Sequence, residues 1–292
     1  MVSAELLDSF VAFAETLNFT HAAKKTGLSQ PALFERIRRL EESLGAPLYE
    51  REGRALTLTE AGTRTLAFSR EARTRFADFL TELRNEAPRR TVTLAAGEGS
   101  YLYLLGPALA AFAKAHGPSL ELLTVGGRGV LECLRRGDAD LAVAAIDLVP
   151  SSIHARDIVT TPLCVALPAH HPLASHRRLR LRDLAGERFV LAPEGQLHRD
   201  LVSRALASGG HTPSRVLEAD GWPLMLAFVK AGLGVAVVNG ICELPRGVVT
   251  RPLRELGSVT YRLLQRKSAR QTPEAELLAS KILALGAPRP GV

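Results

Sequence analysis

The chain has 292 residues, a formal net charge of +7 and a hydrophobic content of 46%, which is enough to bury the cores of two or three domains. No stretch approaches the roughly 18 consecutive apolar residues of a membrane helix, and the first residues, MVSAELLDSF, contain no basic leader. The three cysteines are widely spaced and odd in number, which argues against a disulfide framework or a zinc site and for a reducing compartment. We therefore expect a cytoplasmic protein that does not associate with a membrane.

The positive charge is unevenly distributed along the chain. Residues 1–90 contain 14 Lys and Arg against 13 Asp and Glu, a net charge of +1, whereas residues 91–292 contain 23 against 17, a net charge of +6. A basic balance is typical of nucleic-acid binding. Here it does not single out the N-terminal part, so the positions of individual arginines have to make that case.

Apolar residues at helical spacing predict three short helices, over residues 4–17, 21–26 and 29–44. Thr20 is the expected N-cap of the second helix, and Gly27 stands in the usual helix-stop position. Ser29 is the expected N-cap of the third helix. Pro31 then lies in its first turn, where a missing backbone N–H costs nothing. Three short helices with a glycine-containing turn before the third are typical of a helix-turn-helix.

The next segment predicts a small wing and a long helix. Residues 48–50 and 55–58 read as two short strands with Gly53 and Arg54 at the turn between them. Thr59 is the expected N-cap of a helix that runs to about residue 86. This helix carries an apolar stripe of Ala72, Phe76, Phe79 and Leu83. A single long helix cannot bury such a stripe, so we expect the same helix of a second subunit to cover it.

Pro88, Arg89 and Arg90 mark a linker, and the composition then changes. Runs typical of strands alternate with helical ones: TVTLAA, SYLYLLGPALAAFAKAHG, LELLTV, GVLECLRRG and LAVAA. This βαβαβ order predicts a parallel sheet with right-handed crossovers. A second βαβαβ unit follows after TPLCVAL. The two units predict two similar lobes, joined by TPLCVAL and by YRLLQ, with a closing helix over residues 273–285.

A specific pattern spans residues 9–62. Its members stand at fixed spacing: Phe19, Ala22-Ala23, Ser29-Gln30-Pro31, Ile37, Leu40-Glu41, Leu44-Gly45, Leu48-Tyr49, Arg51 and Leu58-Thr59-Glu60-Ala61-Gly62. Together they resemble the pattern of the LysR-type transcriptional regulators. The likeness continues more weakly in GDADLAVAA and LAFVKAGLGVAVV, which look like the effector domain of that family.

The resemblance implies an α/β fold with an N-terminal winged helix-turn-helix (residues 1–58), a long linker and dimerisation helix (59–87), and a two-lobed effector domain of periplasmic-binding-protein type (88–292). Lobe I would comprise about 91–160 and 266–292, and lobe II about 168–260. The implied function is a ligand-responsive regulator that binds an interrupted inverted repeat of double-stranded DNA as a dimer or tetramer. The implied partners are RNA polymerase and a small-molecule co-inducer, with no other cofactor.

The third helix supplies most of the candidate DNA-binding residues. Its apolar face would pack on the first two helices, and the opposite side would enter the major groove, where Gln pairs with adenine and Arg with guanine. Positive residues elsewhere in the domain are candidates for phosphate contacts, which set register rather than sequence. The full set is Lys24, Gln30, Pro31, Phe34, Glu35, Arg36, Arg38, Arg51 and Arg54.

Two of these residues depart from the family pattern. Phe34 stands where the family usually has a small hydroxyl residue, and Glu35 where it often has a basic or polar one. Phe34 makes no polar base contact, but its ring can touch a thymine methyl. Glu35 can accept from cytosine N4 or repel phosphates. The arginines beside the acids of this helix can alternatively form ordinary surface ion pairs.

In two-lobed domains ligands lie between the lobes, at the carboxyl ends of strands. Four loops qualify, at residues 97–100, 126–128, 194–196 and 220–222. The candidate effector-binding residues on them are Glu98, Ser100, Gly127, Arg128, Glu194, Gln196 and Trp222. Their backbone N–H groups favour an anion, while the acids Glu98, Glu194 and Asp220 either stabilise the starts of helices or bind an ammonium. An amino acid would use both, with Trp222 facing its cation.

Other functional classes have weaker support. We find no nucleophile with a base, no phosphate-binding loop and no metal-ligand spacing, so we predict neither catalytic residues nor a metal. His170, His171 and His176 read as a solvated loop, and the cysteines as inert buried thiols rather than a redox switch. The alternative function is a two-lobed small-molecule binding protein or transferase whose N-terminal domain serves only assembly.

Overall fold

The computed structural model describes residues 2–53, 55–83, 91–116, 120–146, 148–208, 210, 216–253, 255–269 and 272–286. The chain divides into two compact units. The first comprises residues 1–90 with 132–139, and the second comprises residues 91–131 with 140–292. Among the described residues, no helix is both long and apolar enough to span a bilayer.

The first unit begins with three helices and a two-stranded wing, as the sequence predicts. The elements are α1 (Ala4–Thr16), α2 (Phe19–Thr26), α3 (Gln30–Leu44), β1 (Tyr49–Glu52), β2 (Ala55–Leu58) and α4 (Glu60–Leu83). The prediction of Thr20 as N-cap of α2 is wrong. The Asn18 side chain instead accepts from the backbone N–H groups of Thr20 and His21, so the helix begins two residues earlier.

The core of this unit lies between the three helices, the wing and the start of α4. Phe10 and Phe13 of α1 and Leu33, Ile37 and Leu40 of α3 are almost fully buried. They form a single cluster with Leu48 and Leu66. The three α3 residues recur every three or four positions, so one face of the helix is fixed in the core and the other is left for solvent.

The second unit contains one nine-stranded sheet. Its strands are β3 (Val92–Ala96), β4 (Leu120–Thr124), β5 (Leu141–Ala145), β6 (Ile153–Pro168), β7 (Phe189–Leu191), β8 (Val216–Glu218), β9 (Val235–Asn239), β10 (Val248–Pro252) and β11 (Ser258–Arg266). The strand order is β4-β3-β5-β11-β6-β9-β7-β8, and β10 pairs with β6. The pairs β3–β4, β3–β5, β7–β8 and β7–β9 are parallel, as expected for βαβ crossovers.

Helical segments alternate with these strands along the chain. They are α5 (Glu98–Ser100), a π-helical turn (Tyr101–Leu105), α6 (Gly106–His116), α7 (Gly127–Arg136), α8 (Leu197–Ser208), α9 (Trp222–Lys230) and α10 (Pro273–Leu283). Short 3-10 turns occur at Pro172–Ser175, Leu181–Leu184 and Ala284–Gly286. Separate apolar clusters lie under the two halves: one around Leu94, Phe112 and Leu278, and another around Val165, Phe189 and Val202.

Two long antiparallel strands, β6 and β11, lie next to each other in this sheet. The TPLCVAL segment is part of β6, which pairs with β11 over its first part and with β9 and β10 over its last. The YRLLQ segment lies in β11, which also pairs with β5. TPLCVAL therefore pairs with strands of both halves of the sheet, in line with the prediction that it joins the lobes, whereas YRLLQ pairs only with β5 and with residues 154–159 of β6. Strand β10 was not predicted, because Pro and Arg interrupt its apolar pattern, as is common for strands at a sheet edge.

Candidate functional site

The exposed face of α3 is the candidate nucleic-acid interface. The Ser29 hydroxyl accepts from the Ala32 N–H at 3.3 Å and fixes the start of the helix. Gln30, Pro31 and Phe34 lie in the first two turns of the helix, and all three are exposed. The N-terminal end of a recognition helix is the part that reaches base edges in helix-turn-helix proteins.

Gln30 and Phe34 are each held by one neighbour. The Thr20 hydroxyl donates to Oε1 of Gln30 at 3.1 Å, which orients the amide and leaves its NH2 group for another acceptor. The Phe34 ring lies 5.5 Å, centroid to centroid, from Phe19, yet 46% of the residue is exposed. Phe34 is thus supported on one side by packing and open on the other.

Glu35 forms ion pairs with Arg38 and Arg39, one turn further along the helix. Its carboxylate accepts two hydrogen bonds from Arg38, both at 3.1 Å, and one from Arg39 at 3.3 Å. The hydrogen bonds from Arg38, followed by its positive charge, lower the pKa of Glu35. Glu35 therefore stays ionised and offsets the charge of Arg38. To bind a base or a phosphate, Arg38 has to exchange its hydrogen bonds with Glu35 for hydrogen bonds with DNA. Exposed ion pairs are weak, so this exchange is feasible.

The remaining predicted DNA-binding residues lie in different places. The Arg36 guanidinium faces α1, where it donates to the Ser9 hydroxyl at 3.2 Å and lies 3.5 Å from Glu5. Lys24 is exposed near the end of α2. Arg51 in the wing donates to the Gly53 carbonyl at 3.1 Å. Arg54 at the wing tip lies outside the described residues.

Several residues of the family-like pattern hold the wing instead of facing solvent. The Glu41 carboxylate accepts from the Leu48 N–H at 2.8 Å and ties the end of α3 to the first wing strand. The Thr59 hydroxyl donates to the Pro47 carbonyl at 2.7 Å and accepts from the Gly62 N–H at 2.9 Å. A Cβ at Gly62 would overlap the Leu48 carbonyl, so a glycine is required there.

The candidate effector site is formed by loops at the carboxyl ends of β3, β4, β7 and β8. A Cβ built on Gly99 would overlap the Trp222 indole, and one on Gly221 would lie 2.6 Å from Oε2 of Glu98. Loop 97–100 of lobe I therefore lies directly against loop 220–222 of lobe II. Gln196 extends this set, because its Nε2 donates to Oδ1 of Asp220 at 2.8 Å.

The side chains of this site are mostly acidic and aromatic. Glu98 and Asp220 are exposed carboxylates, and Ser100 is 5% exposed. Trp222 is half-buried and packs against apolar clusters of both lobes. These features provide two negative charges, one hydroxyl and one aromatic face.

Other predicted effector residues are less closely placed. A Cβ on Gly97 would lie 3.8 Å from the Val125 carbonyl, so loop 126–128, with Gly127, begins beside loop 97–100. The Arg128 side chain lies outside the described residues. Glu194 is exposed next to Gly195, whose φ of +82° is favourable only for glycine.

His198 was not predicted from the sequence, yet it lies beside this site. Its ring contacts Trp222 edge-on, with a centroid distance of 6.4 Å. Both ring nitrogens are buried without a normal hydrogen bond to any described residue. Burial lowers the pKa of His198 to about 4. A backbone interaction with Val237 raises the pKa by a smaller amount. The imidazole is therefore neutral at physiological pH. No sequence motif marks it, because its place beside Trp222 depends on the tertiary structure.

The thiols are poorly suited to redox chemistry. Cys164 and Cys242 are buried and Cys133 is half-buried, and none forms a disulfide. Burial raises the pKa of all three thiols, that of Cys242 to about 12. The reactive thiolate is thus a minor species at neutral pH. The described residues contain no cluster of His, Cys, Asp and Glu suitable for a metal ion.

Comparison with known proteins agrees with this architecture. Residues 4–63 match the family described as "Bacterial regulatory helix-turn-helix protein, lysR family", and residues 85–285 match "LysR substrate binding domain". The HTH-type transcriptional regulator YbhD of Escherichia coli (strain K12) is 30% identical over 279 residues, which cover 92% of this chain and 87% of that protein. ShiR of Corynebacterium glutamicum (strain R) is 32% identical over 248 residues, 80% of this chain and 81% of that protein.

A solved structure gives the same fold. A full-length OxyR variant from Pseudomonas aeruginosa superimposes with a TM-score of 0.68 at 21% identity, over 97% of this chain and 95% of that one. A winged helix-turn-helix joined to a two-lobed binding domain defines a class of ligand-responsive transcription factors. Within that class, the chain belongs to the LysR family of DNA-binding transcriptional regulators. The matched relatives are regulators, so the prediction of a regulator is confirmed and the transferase alternative is wrong.

Proposed function

We propose that this LysR-type regulator acts in the cytoplasm as a homo-oligomer, at least a dimer, that reads an interrupted inverted repeat with the exposed face of α3. Its co-inducer is a small amino-bearing carboxylic acid held between the two lobes. RNA polymerase is the expected downstream partner. The observation that carries the DNA part of this proposal is the exposure of Gln30, Pro31 and Phe34 at the start of α3.

The first test changes Phe34, the residue that departs from the family pattern. The open side of its ring suits contact with a thymine methyl. Phe34→Ser is therefore expected to change the base preference at one position per half-site by about 1 kcal/mol or more. Selection of bound sequences from a random DNA library, with purified full-length protein, measures this change.

A phosphate contact provides the matched control for that experiment. Arg51→Ala is expected to weaken binding to all sequences alike, without a change in the selected motif. If the motif selected by Phe34→Ser is identical to that of the wild type, the base contact is ruled out. Phe34 then serves only to pack against Phe19.

The effector part of the proposal rests on the chemistry of loops 97–100 and 220–222. Glu98 and Asp220 offer two carboxylates to an ammonium, and Trp222 offers an aromatic face to the same cation. The Ser100 hydroxyl and the backbone N–H groups at the start of α7, which begins at Gly127, suit a carboxylate. A zwitterion satisfies both sets of groups, whereas a simple carboxylate leaves the acids uncompensated.

Trp222 makes this proposal directly measurable, because it is the only tryptophan in the chain. Fluorescence titration of the full-length protein with the standard amino acids is expected to identify a saturable ligand. Glu98→Gln and Asp220→Asn are each expected to weaken its binding by about 10- to 100-fold, the range for a lost charge-assisted hydrogen bond. Glu121→Gln, at an exposed acid on β4, is the control and leaves the affinity unchanged.

A parallel titration with acetate, succinate and benzoate separates the two ligand classes. Saturable binding of one of these acids that survives both Glu98→Gln and Asp220→Asn contradicts the zwitterion proposal.

A further inference from the structure

The winged helix-turn-helix carries little free positive charge for a DNA-binding module. Residues 1–58 contain seven Lys and Arg against eight Asp and Glu, a net charge of −1. Four of these cations, Lys25, Arg36, Arg38 and Arg39, already lie in ion pairs with carboxylates of the same unit. The sequence-independent part of DNA affinity comes from Lys and Arg that neutralise phosphates. Much of that attraction therefore has to come from other parts of the chain.

Lobe II contains a concentrated source of positive charge. Residues 170–188 carry five arginines and two carboxylates, a net charge of +3, which is half of the +6 found in residues 91–292. All five arginines are exposed. We refer to them as the lobe II arginine surface: Arg177, Arg178, Arg180, Arg182 and Arg188.

The backbone that carries this surface is firmly anchored. Leu179 and Leu181 alternate with the arginines, and both are buried with Leu184 in the core of lobe II. The Leu179 N–H donates to the Pro252 carbonyl at 3.0 Å, and the Arg180 N–H donates to Asp183 at 2.8 Å. Because the backbone is already ordered, binding through the arginines costs little conformational entropy beyond that of their own side chains.

The acids around the surface are engaged with other groups. Asp183 caps the Arg180 N–H and lies 3.8 Å from Arg182, and Glu187 lies 3.4 Å from His171. Glu255, on the neighbouring segment, accepts from the Leu181 N–H at 3.3 Å. Within the described part of the chain, Arg177, Arg178 and Arg180 have no ion-pair partner.

The composition of the surface indicates the class of partner. Protein interfaces are centred on buried apolar or aromatic side chains, and residues 170–188 expose no large apolar side chain. Arginine guanidinium groups match the geometry of phosphate oxygens. We propose that the lobe II arginine surface binds the phosphate backbone of DNA without reading bases, and supplies attraction that the winged helix-turn-helix lacks.

The test measures how DNA affinity depends on salt. The probe is a random-sequence duplex of about 60 base pairs, titrated with full-length protein between about 50 and 200 mM salt. The variant Arg177→Gln/Arg178→Gln/Arg180→Gln removes three charges from the surface. The slope of log K against log salt is expected to become shallower by about 2 to 3, with affinity at ~100 mM salt falling roughly tenfold or more.

Two control variants separate position from net charge and from folding. Lys114→Gln/Lys230→Gln/Lys267→Gln removes the same charge from three scattered, exposed lysines and is expected to leave the slope nearly unchanged. Arg177→Lys/Arg178→Lys/Arg180→Lys keeps the charge and is expected to keep the slope.

Equal slopes for the wild type and the triple Arg→Gln variant overturn the proposal. The proposal is also overturned if the triple Lys→Gln variant loses as much slope as the triple Arg→Gln variant. Failure of the wild type to bind the random duplex overturns it too. If the slope is unchanged but the regulation of transcription in vitro is lost, the surface binds a protein partner instead, and the proposal is overturned. The proposed base reading by α3 is independent of all these outcomes, because random DNA does not test it.

Discussion

His198 connects the structure of the effector site to the stability of the protein. Its pKa is about 4 in the folded chain, below the usual value of 6.5, because burial beside Trp222 disfavours the imidazolium form. Between these two values the unfolded chain binds the proton more readily than the folded one. The free energy of unfolding therefore decreases as the pH falls from about 7 to about 4, and the contribution levels off below that range.

A substitution at His198 tests this linkage. His198→Phe keeps an aromatic ring against Trp222 but removes the titrating group. The loss of unfolding free energy between pH 7 and pH 4.5 is expected to be about 2 kcal/mol smaller in this variant than in the wild type. Urea unfolding at both pH values measures it, and His176→Gln, at an exposed histidine, serves as the control. If the wild type and His198→Phe lose the same unfolding free energy between these pH values, His198 is not the source of the pH dependence.

Residue-scale geometry also defines what α3 offers to DNA. Arg38 and Arg39 are directed along the helix towards Glu35, and Arg36 is directed towards α1. Gln30 and Phe34, in the first two turns of α3, have fewer competing contacts. We therefore expect base specificity to depend more on the start of α3 than on its arginines.

At the scale of single elements, α4 presents an apolar surface that the described chain leaves open. Phe76, Phe79 and Leu83 are 62%, 51% and 64% exposed, and Phe68, two turns earlier, is 62% exposed. Phe68 extends the stripe predicted from the sequence. Contiguous exposed apolar surface of this kind marks an interaction site, and a second copy of α4 buries it most simply.

Charge placed in this stripe is expected to prevent dimer formation. Phe76→Asp/Phe79→Asp removes two aromatic contacts, each worth roughly 2 kcal/mol or more when buried, and adds carboxylates to the same surface. Analytical ultracentrifugation is expected to show monomers, with weaker DNA binding because one half-site is then bound alone. Phe76→Leu/Phe79→Leu keeps the apolar stripe and is expected to remain oligomeric. A double aspartate variant that keeps its oligomeric state and its affinity contradicts the linker-helix interpretation.

Strand β6 is the second element with a role beyond its own lobe. Its 16 residues pair with β11 in one lobe and with β9 and β10 in the other. Ladder hydrogen bonds thus continue from one half of the sheet to the other through a single strand.

At the scale of the whole molecule, charge and specificity occupy different parts of the chain. The module with the recognition helix has a net charge near zero, and the binding domain carries most of the excess. Sequence preference comes from base contacts, while affinity and its salt dependence come from phosphate contacts. Substitutions in α3 are therefore expected to change sequence preference, and substitutions in the lobe II arginine surface to change affinity and its salt dependence.

Sequence alone determined the family-like pattern, the helices of the first unit and the alternation of strands and helices in the second. These features depend on local signals, such as the 3.6-residue period of α3, the cap at Ser29 and the glycine after α2, which act within a few residues. The stripe on α4 was equally readable, because it is a single helix face.

Tertiary structure decided which distant residues meet. The contact of loop 97–100 with loop 220–222, the burial of His198 beside Trp222 and the edge strand β10 join segments that are far apart in sequence. Tertiary structure also decided between local alternatives. Asn18 rather than Thr20 caps α2, and Glu35 binds Arg38, one of the arginines that the sequence predicts to contact DNA. Each outcome depends on which of several chemically adequate partners the packed backbone brings within hydrogen-bond distance.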